Sequence, residues 1–231
     1  MAMTDKLIIA LDMDRGEDAL SLVRKLKGEL SLFKVGSQLF TREGPALIKA
    51  LRAEGVDIFL DLKWHDIPQT VANAVHAAAE LDVRYVTIHA SGGLEMLQAA
   101  KAATKGSRTQ ILAVTVVTSL DDAALRQIGF DRTAPEQVLR LAQLAVLAEI
   151  RGLVCSPHEI GLIREKIEEQ VTLVIPGVRS AKDGLQDQKR ALSAAEAMRR
   201  GANHLVIGRP ITKAPDPVAA ARELMAECGL R

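Results

Sequence analysis

Short apolar runs punctuate the chain at 7–11, 32–35, 58–62, 85–88, 111–117, 152–155, 172–175 and 204–207. They are rich in Val, Ile and Leu and alternate only weakly, as strands covered on both faces do. Helical patterns lie between them. The stretch 17–27 carries Leu20, Val23 and Leu26 on one face, 45–54 and 71–81 are rich in Ala and Leu, and 136–148 is opened by Pro135, a residue favoured in the first helical turn. Strand–helix alternation predicts a parallel sheet with helices outside. Eight repeats favour closure into a barrel over an open, doubly wound sheet. No linker, low-complexity tract or composition shift divides the sequence. The expectation is an α/β fold, one (β/α)8 TIM-barrel domain over 1–231.

The bulk numbers narrow the picture. The 231 residues suit a barrel of roughly 250. A net charge of +1 without long charged runs, and 3% aromatics, offer no surface for nucleic acid or anionic lipid and no base-stacking platform. Cys155 and Cys228 form no CxxC pattern and read as free thiols of a reducing cytosol. Residues 1–6 lack a signal-peptide core, and the run 7–11 is too short to span a bilayer. A soluble cytoplasmic protein is expected, with neither nucleic acid nor membrane as partner. The five histidines show no HxxxH pair, and GxGxxG and Walker loops are absent. Neither a metal nor another cofactor is therefore expected.

In such barrels the chemistry sits at the carboxyl ends of the strands. Charged residues fall there: Asp12 after strand 1, Lys34 near the end of strand 2, Asp61 and Lys63 ending strand 3, Arg179 after strand 7, and Gly208-Arg209 after strand 8. Asp61 and Lys63 are two apart, so a regular strand aims both into the lumen. Lone charges there are costly. An alternating row Lys34–Asp61–Lys63 gives each a neighbour of opposite sign. A row that merely filled the barrel would stabilise it less than apolar packing does. A functional reading is therefore preferred.

The segment Phe59-Leu60-Asp61-Leu62-Lys63-Trp64-His65-Asp66-Ile67-Pro68-Gln69-Thr70 resembles the signature of orotidine 5′-monophosphate decarboxylases. Ala10-Leu11-Asp12, Phe33-Lys34-Val35-Gly36, Val114-Thr115-Val116-Val117-Thr118-Ser119 and Val154-Cys155-Ser156-Pro157 match in family order. So do Pro176-Gly177-Val178-Arg179, Asp187-Gln188-Lys189-Arg190 and Val206-Ile207-Gly208-Arg209-Pro210-Ile211-Thr212. The spacing of Arg179, Gln188 and Arg209 resembles the bacterial branch. The resemblance implies Lys63 as proton donor to the carbon that carbon dioxide leaves, Asp61 beside the substrate carboxylate, and Lys34 ordering the row and touching the ribose. It implies Asp66 as a carboxylate donated across a homodimer interface, with Ile67 and Thr70 in the same segment. Asp12 is implied as a ribose acceptor and Thr118 as a contact to the pyrimidine edge. Arg179, Gln188, Gly208 and Arg209 are implied as the phosphate grip. Departures are mild: Ser180 for proline, Gln69 for asparagine, Glu149-Ile150-Arg151 for a more neutral Gly-rich step, and His204 where an acidic or aromatic pair is usual.

Loss of carbon dioxide from a vinylic carbon leaves a carbanion with no adjacent electron sink. The reaction needs a positive charge fixed where that carbanion develops. Lys63 can supply it and then the proton. Phosphate, remote from the reacting carbon, lends binding energy that orders the site, and Gly208 before a helix start suits a phosphate. The segment 177–189 is expected to act as a lid. Two other readings stand beside this one. A magnesium-dependent sugar-phosphate decarboxylase or aldolase shares the Asp-x-Lys-x-x-Asp motif, but it would place an acidic metal ligand where Lys34 stands. A non-catalytic phosphate-binding barrel would not need the charged row.

Overall fold

The computed structural model describes residues 5–167, 170–178 and 192–230. Eight parallel strands close into a barrel in sequence order: β1 (Leu7–Ala10), β2 (Leu32–Gly36), β3 (Asp57–Trp64), β4 (Tyr85–His89), β5 (Gln110–Val114), β6 (Gly152–Val154), β7 (Thr172–Ile175) and β8 (His204–Ile207). Closure is direct, with Leu7, Ile8 and Ile9 of β1 in register with Leu205, Val206 and Ile207 of β8. The predicted closed barrel is the observed one.

Helices cross between the strands: α1 (Gly16–Leu26), α2 (Ser37–Ala53), α3 (Pro68–Glu80), α4 (Leu94–Ala103), α5 (Asp122–Gln127), α6 (Ala134–Leu147), α7 (Ile160–Lys166) and α8 (Ala194–Arg199). The single turn α9 (Arg209–Thr212) and α10 (Pro217–Glu227) follow β8. Among the described residues no helix is long and apolar enough to cross a membrane.

Two elements differ from the sequence pattern. A helix was expected from Pro45, yet helical turns already begin at Ser37 and are broken at Gly44, with φ 65° and ψ −161°. Gly44 adopts this left-handed value without a Cβ clash, and the following proline disfavours helical backbone before it. Strand 5 ends at Val114, not Val117. Thr115 instead turns its hydroxyl onto the Val154 carbonyl at 2.9 Å, and a turn follows.

Side-chain alternation sorts the core into two clusters. One lies between the barrel wall and the helices and includes Ile9, Phe33, Val86, Ile88, Leu141 and Leu173. The other fills the lumen with Ile8, Leu32, Phe59, Tyr85, Leu112, Val114, Val154 and Val174. Tyr85 meets Phe59 edge-on, with ring centroids 6.2 Å apart. Its hydroxyl lies 3.1 Å from Nε2 of the fully buried His204, whose Nδ1 lies 2.7 Å from the Asp5 carbonyl. At the amino end, Arg84 reaches Asp5 at 2.8 Å and Asp57 at 3.3 Å, while Arg108 reaches Asp57 at 2.6 Å. The floor is thus closed by apolar packing and paired charges. The opposite mouth carries charges that apolar packing does not cover.

Candidate active site

One step further along the same inward-facing positions, two residues beyond Leu32, Phe59 and Tyr85, stand Lys34, Asp61 and Thr87. The lumen becomes polar there. The Lys34 ammonium lies 3.1 Å from Oδ1 of Asp12 and 3.6 Å from Oδ2 of Asp61, and the Lys63 ammonium lies 2.7 Å from Oδ1 of Asp61. The charges alternate as Asp12–Lys34–Asp61–Lys63. Lys34 and Asp61 are both largely buried, so their attraction is weakly screened, whereas the Asp12 carboxylate is exposed and its pull on Lys34 is damped by solvent. The expected row is present, and Asp12 extends it by one member. A pocket opens over it, lined by Asp12, Lys34, Ser37, Gln38, Asp61 and Lys63 among others.

The backbone explains how these groups converge. Gly36 is the register partner of Asp61. A Cβ on Gly36 would stand 3.2 Å from the Lys34 ammonium and 3.6 Å from Oδ1 of Asp12. Glycine at this point leaves room for the Lys34–Asp12 contact. Asp61 and Lys63 do meet, but not by plain strand alternation. The β3–β4 register shifts between Leu60 and Trp64, and Lys63 has φ 51°. A non-glycine residue in left-handed backbone is unfavourable by about 1–2 kcal/mol. The surrounding structure therefore holds Lys63 where it would not rest alone.

At the rim, His65 and His89 face each other with ring centroids 5.6 Å apart. Burial, then the neighbouring His65 and Lys63, hold the His89 imidazole below the usual histidine range. Among the described residues no group of three or more His, Cys, Asp or Glu side chains could hold a metal ion. Burial pushes the Cys155 thiol well up, leaving it a packing residue rather than a nucleophile.

The remaining sequence-derived candidates fall in three places. Thr118 is exposed in the turn after β5. Gly208 sits beside Asp12, where a Cβ would lie 4.0 Å from Oδ2, and Arg209 is exposed next to it. The helix start expected there is weaker than anticipated: α9 has four residues, and Pro210 has no N–H to offer. Asp66, Ile67 and Thr70 stand apart, all exposed. The Asp66 carboxylate accepts from the Ile67 N–H at 2.6 Å and makes no ion pair among the described residues. A four-member array including Asp66 is not assembled within this one chain. Arg179 and Gln188, with most of the expected lid at 177–189, lie outside the described residues.

Sequence reasoning missed three residues. Thr87, fully buried, touches both Asp61 and Lys63. Ser37 and Gln38 line the pocket from the start of α2. A threonine inside a β-rich run reads as an ordinary strand former, so only its position two residues beyond Tyr85 could have flagged it.

A model of the Orotidine 5'-phosphate decarboxylase / HUMPS family matches residues 5–224. The chain belongs to that family. Orotidine 5'-phosphate decarboxylase from Nitrosococcus oceani is 51% identical over 224 residues, 96% of this chain and 97% of that protein. The protein of the same name from Dichelobacter nodosus is 50% identical over 222 residues, 95% of this chain and 97% of that one. The crystal structure of orotidine 5'-phosphate decarboxylase from Lactobacillus acidophilus superposes with a TM-score of 0.86 at 36% identity, covering 97% of this chain and 99% of that chain. The likeness to these orotidine 5'-phosphate decarboxylases thus spans nearly the whole barrel.

Proposed function

We propose that this chain decarboxylates orotidine 5′-monophosphate to uridine 5′-monophosphate and carbon dioxide, the last step of de novo pyrimidine nucleotide synthesis. The observation that carries the reading is the row Asp12–Lys34–Asp61–Lys63, held by contacts of 3.1, 3.6 and 2.7 Å at the mouth of the barrel.

In this reading the substrate carboxylate lies beside Asp61, and the reacting carbon lies over the Lys63 ammonium. The bond from that carbon to the carboxylate breaks, its electron pair stays on the ring carbon, and carbon dioxide leaves. Lys63, already charged and already oriented, stabilises the carbanion without reorganising. It then delivers one proton to that carbon and regains it from solvent. Lys34 fixes Asp61 from the opposite oxygen and, with Asp12, binds the ribose hydroxyls. Thr118 contacts the pyrimidine edge. Arg179, Gln188, Gly208 and Arg209 hold the phosphate, in the region after strands 7 and 8 where barrels commonly bind it. No cofactor takes part.

The active chain is a homodimer in this proposal. Asp66, Ile67 and Thr70 complete the site of the partner subunit. Ile67 supports this, because a large apolar side chain 67% exposed in one chain gains by being covered in a pair. The two cysteines, neither in a disulfide, support a cytoplasmic location. The magnesium-dependent alternative is disfavoured by Lys34, since a cation at the would-be ligand position repels a metal.

The test is the ultraviolet absorbance of orotidine 5′-monophosphate mixed with the protein in excess chelator. A steady loss of absorbance is expected. No loss, or loss only after magnesium is returned, overturns the reading.

A further inference from the structure

We infer that Thr87 is a positioning residue for the reaction, the clamp that fixes Asp61 and the backbone of Lys63 relative to each other. The inference rests on the function proposed above and goes one residue beyond it.

The need for a clamp is written in the strand register. Phe59 pairs with Tyr85 and Leu60 with Val86, so a regular ladder would next pair Asp61 with Thr87 and Leu62 with Ile88. Instead Ile88 pairs with Trp64. Strand β3 therefore advances four residues where β4 advances two. The extra length bows Asp61, Leu62 and Lys63 out of the ladder, and Lys63 takes its φ of 51° within that bow. Bulges of this kind re-aim side chains, and they leave backbone groups without ladder partners.

The Thr87 side chain takes up that loss. Its Oγ1 lies 2.9 Å from the Lys63 N–H and 3.0 Å from Oδ1 of Asp61. The direction of both bonds is forced. An N–H can only donate, so an Oγ1 lone pair receives it, and a carboxylate can only accept, so the hydroxyl proton goes to Asp61. The same Oδ1 also accepts from the Lys63 ammonium at 2.7 Å. One hydroxyl thus sets the rotation of the carboxylate and the root of the lysine that pairs with it. Thr87 is fully buried, so water does not readily replace it, and its branched Cβ restricts χ1. Its position between strand and bow makes it the hinge pin of the charged row.

Thr87→Val keeps the shape and removes the hydroxyl; Thr87→Ser keeps the hydroxyl. With orotidine 5′-monophosphate, Thr87→Val is expected to lose about 100-fold in kcat, as misplacing a catalytic group by a fraction of its own size does. Binding of uridine 5′-monophosphate is expected to stay within about threefold, because the ribose and phosphate contacts remain. Thr87→Ser is expected to hold kcat within about fivefold, since a serine hydroxyl can make both bonds. A purely structural role would not split kcat from binding or be rescued by serine. If Thr87→Val does not fold, Thr87→Cys, a much weaker donor, is compared with Thr87→Ser and should be slower by at least about tenfold. The inference alone is overturned if the wild type turns over substrate and Thr87→Val matches it, if serine is as impaired as valine, or if cysteine matches serine. A wild-type chain without turnover overturns the functional reading, and this inference with it.

Discussion

The Lys63 ammonium lies 2.7 Å from Oδ1 of Asp61 while Lys63 itself stands at φ 51°. A close ion pair at the mouth of the barrel is thus built on backbone that disfavours any side chain with a Cβ. This combination separates what Lys63 does for catalysis from what it does for stability. Lys63→Ala should lose turnover by more than the roughly 10²–10⁴ typical of simple acid–base groups, since charge and proton vanish together. Lys63→Gly should be equally inactive yet more stable than Lys63→Ala by about 1 kcal/mol, because glycine accepts the left-handed backbone. Steady-state turnover and urea midpoints of both variants check this. Near-normal turnover in Lys63→Ala sinks the mechanism, and a glycine variant less stable than the alanine variant sinks the strain.

Arg209 is exposed beside Gly208, which borders Asp12 of the charged row. Among the described residues it has no ion-pair partner, so its guanidinium is available to a phosphate. Arg209→Ala should lower kcat/KM for the nucleotide by roughly 100-fold, the worth of about 3 kcal/mol of charged hydrogen bonds. With the bare nucleoside the loss should be small. Equal losses with both substrates would mean that Arg209 does not touch phosphate.

Acid should weaken the fold through the barrel floor. The Asp5 carbonyl can only accept, so His204 Nδ1 carries the proton, and Nε2 accepts from the Tyr85 hydroxyl. Burial chiefly, against a smaller opposing effect of the Asp5 contact, lowers the His204 imidazole to about 4. The unfolded chain protonates His204 near pH 6.5, before the folded chain does. Stability is therefore fully present above that value and drains away as pH falls towards 4. The contribution is roughly 3 kcal/mol between pH 7 and pH 4. Urea unfolding of wild type and His204→Gln across this range should show the wild type losing more by about that amount. Parallel pH curves for the two proteins would place the acid sensitivity elsewhere.

Much of the fold was legible because its strands are buried on both faces and so are written as uninterrupted Val, Ile and Leu. The expected strands at 172–175 and 204–207 coincide with β7 and β8. Lys34 and Asp61 were legible as neighbours because adjacent strands and inward positions follow from the repeat itself; Lys63 meets Asp61 as expected, but through the bow and not through strand alternation. The ion pair of Asp12 with Lys34 was not, since it depends on how far β1 is sheared against β2 and on the missing Cβ of Gly36. The bow at Lys63 has no local signal, as neither Gly nor Pro lies within it. Thr87 stayed hidden for that reason: its task exists only once the bow does. The turns at 37–43 were obscured because Gly44-Pro45 punctuates the sequence, although here it kinks a helix instead of starting one.

Asp66 supplies the sharpest test of the proposed dimer. It lies three residues past Lys63, in the connection to α3, with its carboxylate accepting from the Ile67 N–H and, among the described residues, in no ion pair with the row of its own chain. Ile67 beside it is largely exposed. An exposed loop with an apolar side chain and a carboxylate that has no ion pair among the described residues is suited to a neighbour's site, and in a two-fold pair both sites exchange it. Lys63→Ala and Asp66→Ala protomers should each be nearly inactive alone. When they are mixed, a hybrid dimer has one site with both lesions and one with neither. Random exchange makes about half of the dimers hybrid, so activity should recover to about a quarter of wild type. If Asp66 served its own chain, every site would carry one lesion and mixing would restore nothing. Native mass spectrometry of the mixture establishes whether subunits have exchanged. Hybrid dimers present without recovered activity would refute the shared site.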